Sequence, residues 1–523
     1  MSAIITDQLR ILNSESFVSG VGSTANSYYV WIGLPNATEF DSDWAENPPA
    51  PKDSFSEERD YWDTMLALKR INAADVVRVV RKINWSSGTT FEMYRDDYSR
   101  SNTSPVTNST TLYDTNYYVM NSDYRVYICL QNGTNPENPD GRPSLDEPLF
   151  TDLEPRSAGT SGDGYIWKYL FTIKPNDLIK FDSTSFIPLP QDWLNNNDVA
   201  AVRNNAATSG QLKIVTITNR GVGYGTATTY NNVPIAGDGS GGKASVVVNA
   251  AGKIDSVEVT NGGSNYTFGT VDLGAVGLTN ASGSTDAAFN VIIPPQDGHG
   301  ADVYKELGAS RVLIYSRLEN DVTNPDFITG NQFARLGLVR DPYSFGSTNK
   351  LTVSKASAVY ALKLTGAGST TATFTTDSEI TQQVGVGSTA VGRVVNYDPV
   401  TGVLKYWQDR RLAGFNTDGT LNANPEYGFS LFRFTAESAT GSGTTIFGGS
   451  TALNIDTNFG TSAVPGISTS INNRTYSLGM SFVEGLANPE VEKYSGDIIY
   501  VDNRAPVTRS SQQKEDIKIV LEF

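Results

Sequence analysis

The chain is poor in the residues that most often carry chemistry: among 523 positions there is one cysteine, Cys129, and one histidine, His299. A single cysteine cannot close an internal disulfide, and one histidine with one cysteine cannot furnish a zinc site of the usual nitrogen and sulfur kind. Positive charge is also in deficit. With 40 basic and 56 acidic residues the net charge is −16, which argues against a surface built to neutralise phosphates, so no nucleic-acid partner is expected. No run approaches the roughly 18 uninterrupted apolar residues of a membrane span. The opening Met1 to Arg10 lacks the apolar core of a secretory signal, so neither membrane nor export is expected.

What is present is the texture of a turn-rich β protein: 48 glycines, 25 tyrosines, 22 phenylalanines and many Ser/Thr/Asn runs. At this length roughly two to four domains are expected. The clearest helix signal follows the loop Asn47-Pro48-Pro49-Ala50-Pro51. Ser54 with Glu57 reads as a capping box, and Trp62, Met65 and Leu66 fall at helical spacing, with Tyr61 and Leu68 beside them, up to about Asn72. Val76 to Val80 is then β-branched enough for a strand. Further on, Val126, Ile128 and Leu130 alternate with Arg125, Tyr127 and Cys129, which makes Cys129 a strand residue rather than a nucleophile. Gly162-Asp163-Gly164 reads as a turn into a strand with Tyr165, Trp167, Tyr169 and Phe171 on one face, a row suited to a core or buried interface. The last residues alternate Ile517, Ile519, Leu521 and Phe523 with Lys518, Val520 and Glu522, predicting a strand paired inside a sheet.

An internal repeat lies in a glycine-rich stretch. Val215 to Tyr224 (VTITNRGVGY) recurs 42 positions later as Val257 to Tyr266 (VEVTNGGSNY), each a strand running into a glycine turn and a tyrosine. Between the copies, Asn249-Ala250-Ala251-Gly252-Lys253 is a hairpin turn by its chemistry. A second Gly/Ser/Thr-rich tract runs from about 350 to 475, with a strand-turn-strand signal at Tyr397 to Val403.

The motifs that could carry chemistry have plainer readings. Gly237-Asp238-Gly239-Ser240-Gly241-Gly242 fits G-x-G-x-x-G, but a strand pattern rather than a helix follows, so a loop between strands is expected, not a phosphate cradle. Asp163 and Asp238 sit in glycine turns without the spaced oxygen ligands of a calcium loop. His299, in Asp297-Gly298-His299-Gly300, could be oriented by a carboxylate, but with no nucleophile motif in view it reads as a hydrogen-bonded loop residue. Glu57 and Glu58 are consecutive on a helix start and cannot converge on one substrate. These motifs give no catalytic residue, cofactor, metal site or small-molecule substrate; carboxylates paired only by the fold would not show in them.

Three blocks in order suggest a family. Ser27-Tyr28-Tyr29-Val30-Trp31-Ile32-Gly33, followed by Trp44 and the Pro48-Pro49 loop; Gly162 to Phe171 (GDGYIWKYLF); and Ser495 to Val507 (SGDIIYVDNRAPV) with the terminal strand resemble the dimer-forming baseplate wedge subunit of T-even-type contractile-tailed phages. Ala334 to Pro342 matches more weakly. The likeness spans roughly residues 1 to 200, 300 to 345 and 490 to 523. The glycine-rich tracts look like insertions, and the repeat resembles β modules of phage structural proteins.

The resemblance implies a mainly β, multidomain fold with few short helices and a β-rich core carrying two glycine-rich β insertions. The expected organisation is an N-terminal core, 1–204, with one amphipathic helix; an inserted domain, 205–295; a return to the core, 296–349; a second insertion, 350–489; and C-terminal strands, 490–523. It further implies a non-enzymatic virion protein of the tail baseplate, assembled in the host cytoplasm, that forms a homodimer and packs against other wedge proteins. Tyr28, Tyr29, Trp31 and Trp44, where exposed, would be natural interface anchors. A carbohydrate-binding tail adhesin, suggested by the abundant aromatics, and a β-scaffold glycosidase with carboxylates paired only by the fold are the alternatives.

Overall fold

A computed structural model describes residues 4–35, 43–98, 109–206, 210–319, 327–365, 373–410, 432–436, 443–460 and 468–523. Strand accounts for 40% of the chain and helix for 12%, so the fold is mainly β, in several sheets with few short helices. Contacts group the chain more coarsely than the five segments read from the sequence. One unit comprises Met1–Val18, Val77–Ile314 and Ile519–Phe523, and the other Ser19–Val76 and Tyr315–Lys518.

The first unit is built around a three-stranded antiparallel sheet of Tyr118–Met120, Arg125–Asn132 and Tyr165–Thr172. Tyr165, Trp167 and Phe171 are buried and join Tyr117, Tyr127, Cys129 and Trp193 in one core, but the expected single aromatic face is broken: Tyr169 is half-buried while Lys168 and Leu170 are buried, because register shifts interrupt the pairing with Arg125–Asn132. Tyr165 and Trp167 stack with ring centroids 5.2 Å apart. The helix Asp7–Gly22 has no counterpart in the sequence reading. It is anchored through buried Ile11 and Ser14, whose Oγ donates to the Ala309 carbonyl at 2.7 Å, and through the Phe17 ring, 5.8 Å from Phe523.

The repeat forms its own small core within this unit, with Val233, Val246, Ile254 and Tyr266 at its centre. Its two copies are interleaved. The first strand of copy one, Val215–Arg220, pairs with Ala287–Val291, the strand that closes copy two. The first strand of copy two, Ile254–Ser264, pairs with Ser240–Val248, which closes copy one. Each copy contains the same turn. Asn219 Oδ1 accepts from Gly221 N at 2.9 Å and Asn261 Oδ1 from Gly263 N at 3.0 Å, with the glycines at φ 58° and 61°, where a side chain would be strained. The tyrosine that follows reaches across to the other copy's closing strand: Tyr224 Oη accepts from Ala287 N at 2.7 Å and Tyr266 Oη from Gly242 N at 3.0 Å. A register shift recurs too, between Ala288 and Phe289 and between Lys243 and Ala244.

The second unit contains a five-stranded antiparallel sheet in the order Lys355–Ser357, Met65–Ile71, Tyr28–Gly33, Gln332–Arg340, Asp497–Thr508. Trp31 lies opposite Gly337, and a Cβ on that glycine would come within 2.3 Å of the indole, so the ring occupies the space a side chain would need. The helix starts as predicted, with Ser54 Oγ accepting from Glu57 N at 3.3 Å, but it spans only Phe55–Thr64. Met65, Leu66 and Leu68, expected on its apolar face, instead belong to the strand Met65–Ile71. Their side chains suit a helix. Ladder bonds to strands on both sides and full burial of Met65 to Leu68 outweigh that local preference. A seven-stranded sheet in the same unit includes Tyr360–Lys363, Glu379–Gly385, Ser388–Asp398 and Val403–Trp407. The turn signal at Tyr397 to Val403 joins the last two, with Asp398 accepting from Val400 N at 3.0 Å and from Thr401 Oγ1 at 2.6 Å.

Candidate functional site

The four aromatics singled out as interface anchors are interior residues. Tyr28, Tyr29, Trp31 and Trp44 are 7%, 0%, 0% and 2% exposed. The Tyr28–Gly33 strand lies between two partner strands, which places Tyr29 and Trp31 in a core with Tyr61, Trp62 and Leu68. Tyr29 Oη donates to the Val353 carbonyl at 2.7 Å, and burial pushes its hydroxyl pKa well above the ordinary value. Trp44 Nε1 donates to the Arg504 carbonyl at 2.9 Å, and its ring lies 5.0 Å from the guanidinium of Arg335. Arg335 is itself buried and paired with Asp60 at 2.6 Å, so this aromatic and ionic cluster is part of the interior of the unit. Exposed large apolar side chains of the described residues lie elsewhere, at Phe55, Ile179, Leu194, Phe268 and Val386 among others.

The glycine loop Gly237–Gly242 is the bend between two antiparallel strands, Thr228–Gly237 and Ser240–Val248, as its sequence context predicts. The carboxylate of Asp238 is occupied within the protein, accepting from Thr267 N at 2.9 Å, Phe268 N at 3.2 Å and Thr267 Oγ1 at 2.5 Å. Those donors, the Thr267 hydroxyl first, hold its pKa down to about 2. Asp163 is used in the same way, one oxygen taking Tyr165 N at 3.0 Å and the other Leu145 N at 2.9 Å. Both acids secure turns. Among the described residues no three His, Cys, Asp or Glu side chains gather as a metal-ligand set. No helix there is long and apolar enough to cross a membrane.

His299 does find a carboxylate, but it is that of Glu306, seven residues on, and not of neighbouring Asp297. Nδ1 and Oε1 are 2.7 Å apart, the other oxygen accepts from Gly300 N at 2.7 Å, and the Tyr94 ring meets the imidazole edge-on at 4.7 Å. Lys168 is also buried in this unit, donating to the Leu153 carbonyl at 2.8 Å and to Asn205 Oδ1 at 2.9 Å. Burial drives its pKa down to about 8, with the charge of Glu306 opposing the fall. A histidine, a carboxylate and a lysine of lowered pKa are the ingredients of acid-base catalysis. At 5%, 4% and 1% exposure they are closed to a substrate, and the dyad fixes the loop that leads into the short helix Val303–Glu306. Sequence reasoning had no signal for Lys168, which stands in a row of strand aromatics.

Cys129 is fully buried with Sγ 3.3 Å from the Gln131 carbonyl, and burial raises its thiol pKa, which leaves it unreactive. A cavity of about 260 Å³ in the first unit is lined by Glu92, Arg95, Tyr98 and Asn132 on one side and Thr216 and Asn290 of the repeat on the other. Glu92 is buried and accepts from Asn116 N at 2.9 Å. Compared with known protein families and with curated proteins, the chain matches none.

Proposed function

We propose that the chain is a structural, non-enzymatic subunit of a phage tail baseplate wedge, acting through protein-protein contacts as a homodimer that packs against other wedge proteins. One observation carries the reading. Three of the four sequence blocks that resemble the T-even-type wedge subunit, far apart in the chain, are adjacent strands of one sheet: Tyr28–Gly33 and Asp497–Thr508 flank Gln332–Arg340 on either side. The remaining block, Tyr165–Thr172, supplies buried aromatics at the centre of the other unit. Residues shared with a scaffold for structural reasons should fall in the strands of its sheets, whereas residues shared for catalysis would converge on an open cleft. The surfaces that meet neighbours would then lie on exposed residues.

The mass of the intact protein by light scattering, alone and mixed with wedge subunits of the same virus, tests this. A dimer that grows into a defined larger complex is expected. A monomer that ignores every wedge subunit would overturn the reading.

A further inference from the structure

Cationic side chains held close together repel one another, and carboxylates or other acceptors offset that repulsion. In the second unit three cationic side chains, exposed Arg433 and half-buried Arg410 and Lys493, gather around two tyrosines. The ring of buried Tyr360 carries the Arg433 guanidinium 4.4 Å from its centroid and the Lys493 ammonium at 5.4 Å. Arg410 lies over the Tyr494 ring at 5.0 Å.

The carboxylate within reach is that of Asp63, and it is already engaged. It pairs with Arg410 Nε at 2.5 Å and accepts the Tyr494 hydroxyl. Lys493 donates to the main-chain carbonyl of Asp63 at 3.2 Å, and Arg433 Nη1 donates to the Gln408 side-chain carbonyl at 2.7 Å. Both acceptors are neutral. Among the described residues neither Lys493 nor Arg433 has a carboxylate in ion-pair contact. Two cations thus share one aromatic ring, with donor capacity left over: a lysine has three N–H groups and an arginine five.

We propose that Lys493 and Arg433, seated on Tyr360, form an oxyanion site that takes a carboxylate or phosphate group. A planar guanidinium and an adjacent ammonium can each donate to a different oxygen of one such anion, and the anion removes the repulsion between them. Burial is the largest cause that brings Lys493 down to about 8. Asp63 pulls the other way, and Arg433 and Arg410 add to the fall. A bound anion would reverse that depression. Free inorganic phosphate and an acidic side chain of a neighbouring polypeptide share this chemistry, and the site does not depend on the baseplate reading.

The test is the melting temperature of the intact protein in inorganic phosphate, in a short polyglutamate peptide and in chloride, at matched ionic strength, for the native sequence and for Lys493→Met and Arg433→Gln. Phosphate is expected to raise the native melting temperature saturably by a few degrees and to lose that effect in either variant. A rise with polyglutamate alone, lost in the same variants, assigns the site to a neighbouring chain. Equal melting temperatures in all three media, or shifts that survive both substitutions, overturn the proposal. Should a variant fail to fold, the Lys493 side-chain titration in the native protein decides by itself: its pKa must rise on adding phosphate or peptide, and a pKa unmoved by both overturns the proposal.

Discussion

The two repeat tyrosines do the same job with different stakes. Tyr266 Oη sits in a buried setting between two main-chain groups, accepting from Gly242 N at 3.0 Å and donating to the Ile235 carbonyl at 2.8 Å. Tyr224 Oη takes the single bond from Ala287 N, in a partly buried setting. Removing a hydroxyl leaves its partners unpaired, and each buried unpaired group costs about 1–3 kcal/mol. Tyr266→Phe is therefore expected to destabilise the repeat by about 2 kcal/mol and Tyr224→Phe by about 1 kcal/mol. Urea denaturation followed by tyrosine fluorescence ranks them, and equal losses would contradict the two-bond account. A second expectation concerns Lys168. It releases its proton near pH 8 in the folded chain and near its ordinary 10.5 when unfolded, so between those values the unfolded state binds more protons and stability rises with pH. Lys493, also held down to about 8, contributes in the same direction. Above about pH 10 the sign reverses, because burial lifts tyrosines such as Tyr113 and Tyr127 up to about 12, so they keep their protons while unfolded tyrosines ionise. Lys168→Met should flatten the rise between pH 8 and 10 in chemical denaturation. An unchanged slope would remove Lys168 as its source.

At the scale of elements, the helix Phe55–Thr64 separates what local sequence can and cannot determine. Its start is a local event: Ser54 satisfies the Glu57 N–H, and Ser54→Ala is expected to cost about 1 kcal/mol, read as a lower urea midpoint. Its end is a long-range event. Met65-Leu66-Ala67-Leu68-Lys69-Arg70 would extend the helix in isolation, and only the strands Tyr28–Gly33 and Lys355–Ser357 on either side make it a strand. The same division explains the remaining differences. Strands with their own signal, Val76–Arg81, Arg125–Asn132, Tyr165–Thr172 and Lys514–Glu522, are legible because β-branched or alternating residues match a two-residue period. The helix Asp7–Gly22 is not, since its serines, asparagine and glycines are poor helix formers and its stability comes from the residues it packs on. Site residues were legible only in chemical type. An aromatic such as Trp31 serves a core or an interface equally well, and its burial is decided by Gly337, more than 300 residues away in sequence. Likewise the grouping of Lys493 with Arg433 on Tyr360 exists only once distant segments meet, whereas the partner of His299, Glu306, lies seven residues on, hidden by the nearer Asp297.

For the molecule as a whole, the interleaved repeat raises the question of what else it depends on. The chain enters it through Val215 and leaves through Val291, which are directly paired, and just outside them Ile292 N donates to the Ile214 carbonyl at 3.1 Å. Ile214 and Ile292 belong to the core around Trp167, whereas Val215 and Val291 belong to the core around Val246. The two cores thus meet where the chain enters and leaves, with Leu212 and Ile293 just beyond still packed on the repeat side, and the ends of the insertion already meet, so its loop-closure cost is small. Because each copy's first strand needs the other copy's closing strand, the pair should behave as one cooperative body and neither half should fold alone. A fragment of residues 210–293 is expected to give dispersed amide proton signals and a single unfolding transition, while a fragment ending at Ala251 remains unfolded. In parallel, a chain in which a short turn replaces residues 216–290 should keep the near-ultraviolet circular dichroism of the Trp167 core. If the excised chain loses that signal, or the half-module folds by itself, the repeat is not an inserted, mutually locked pair.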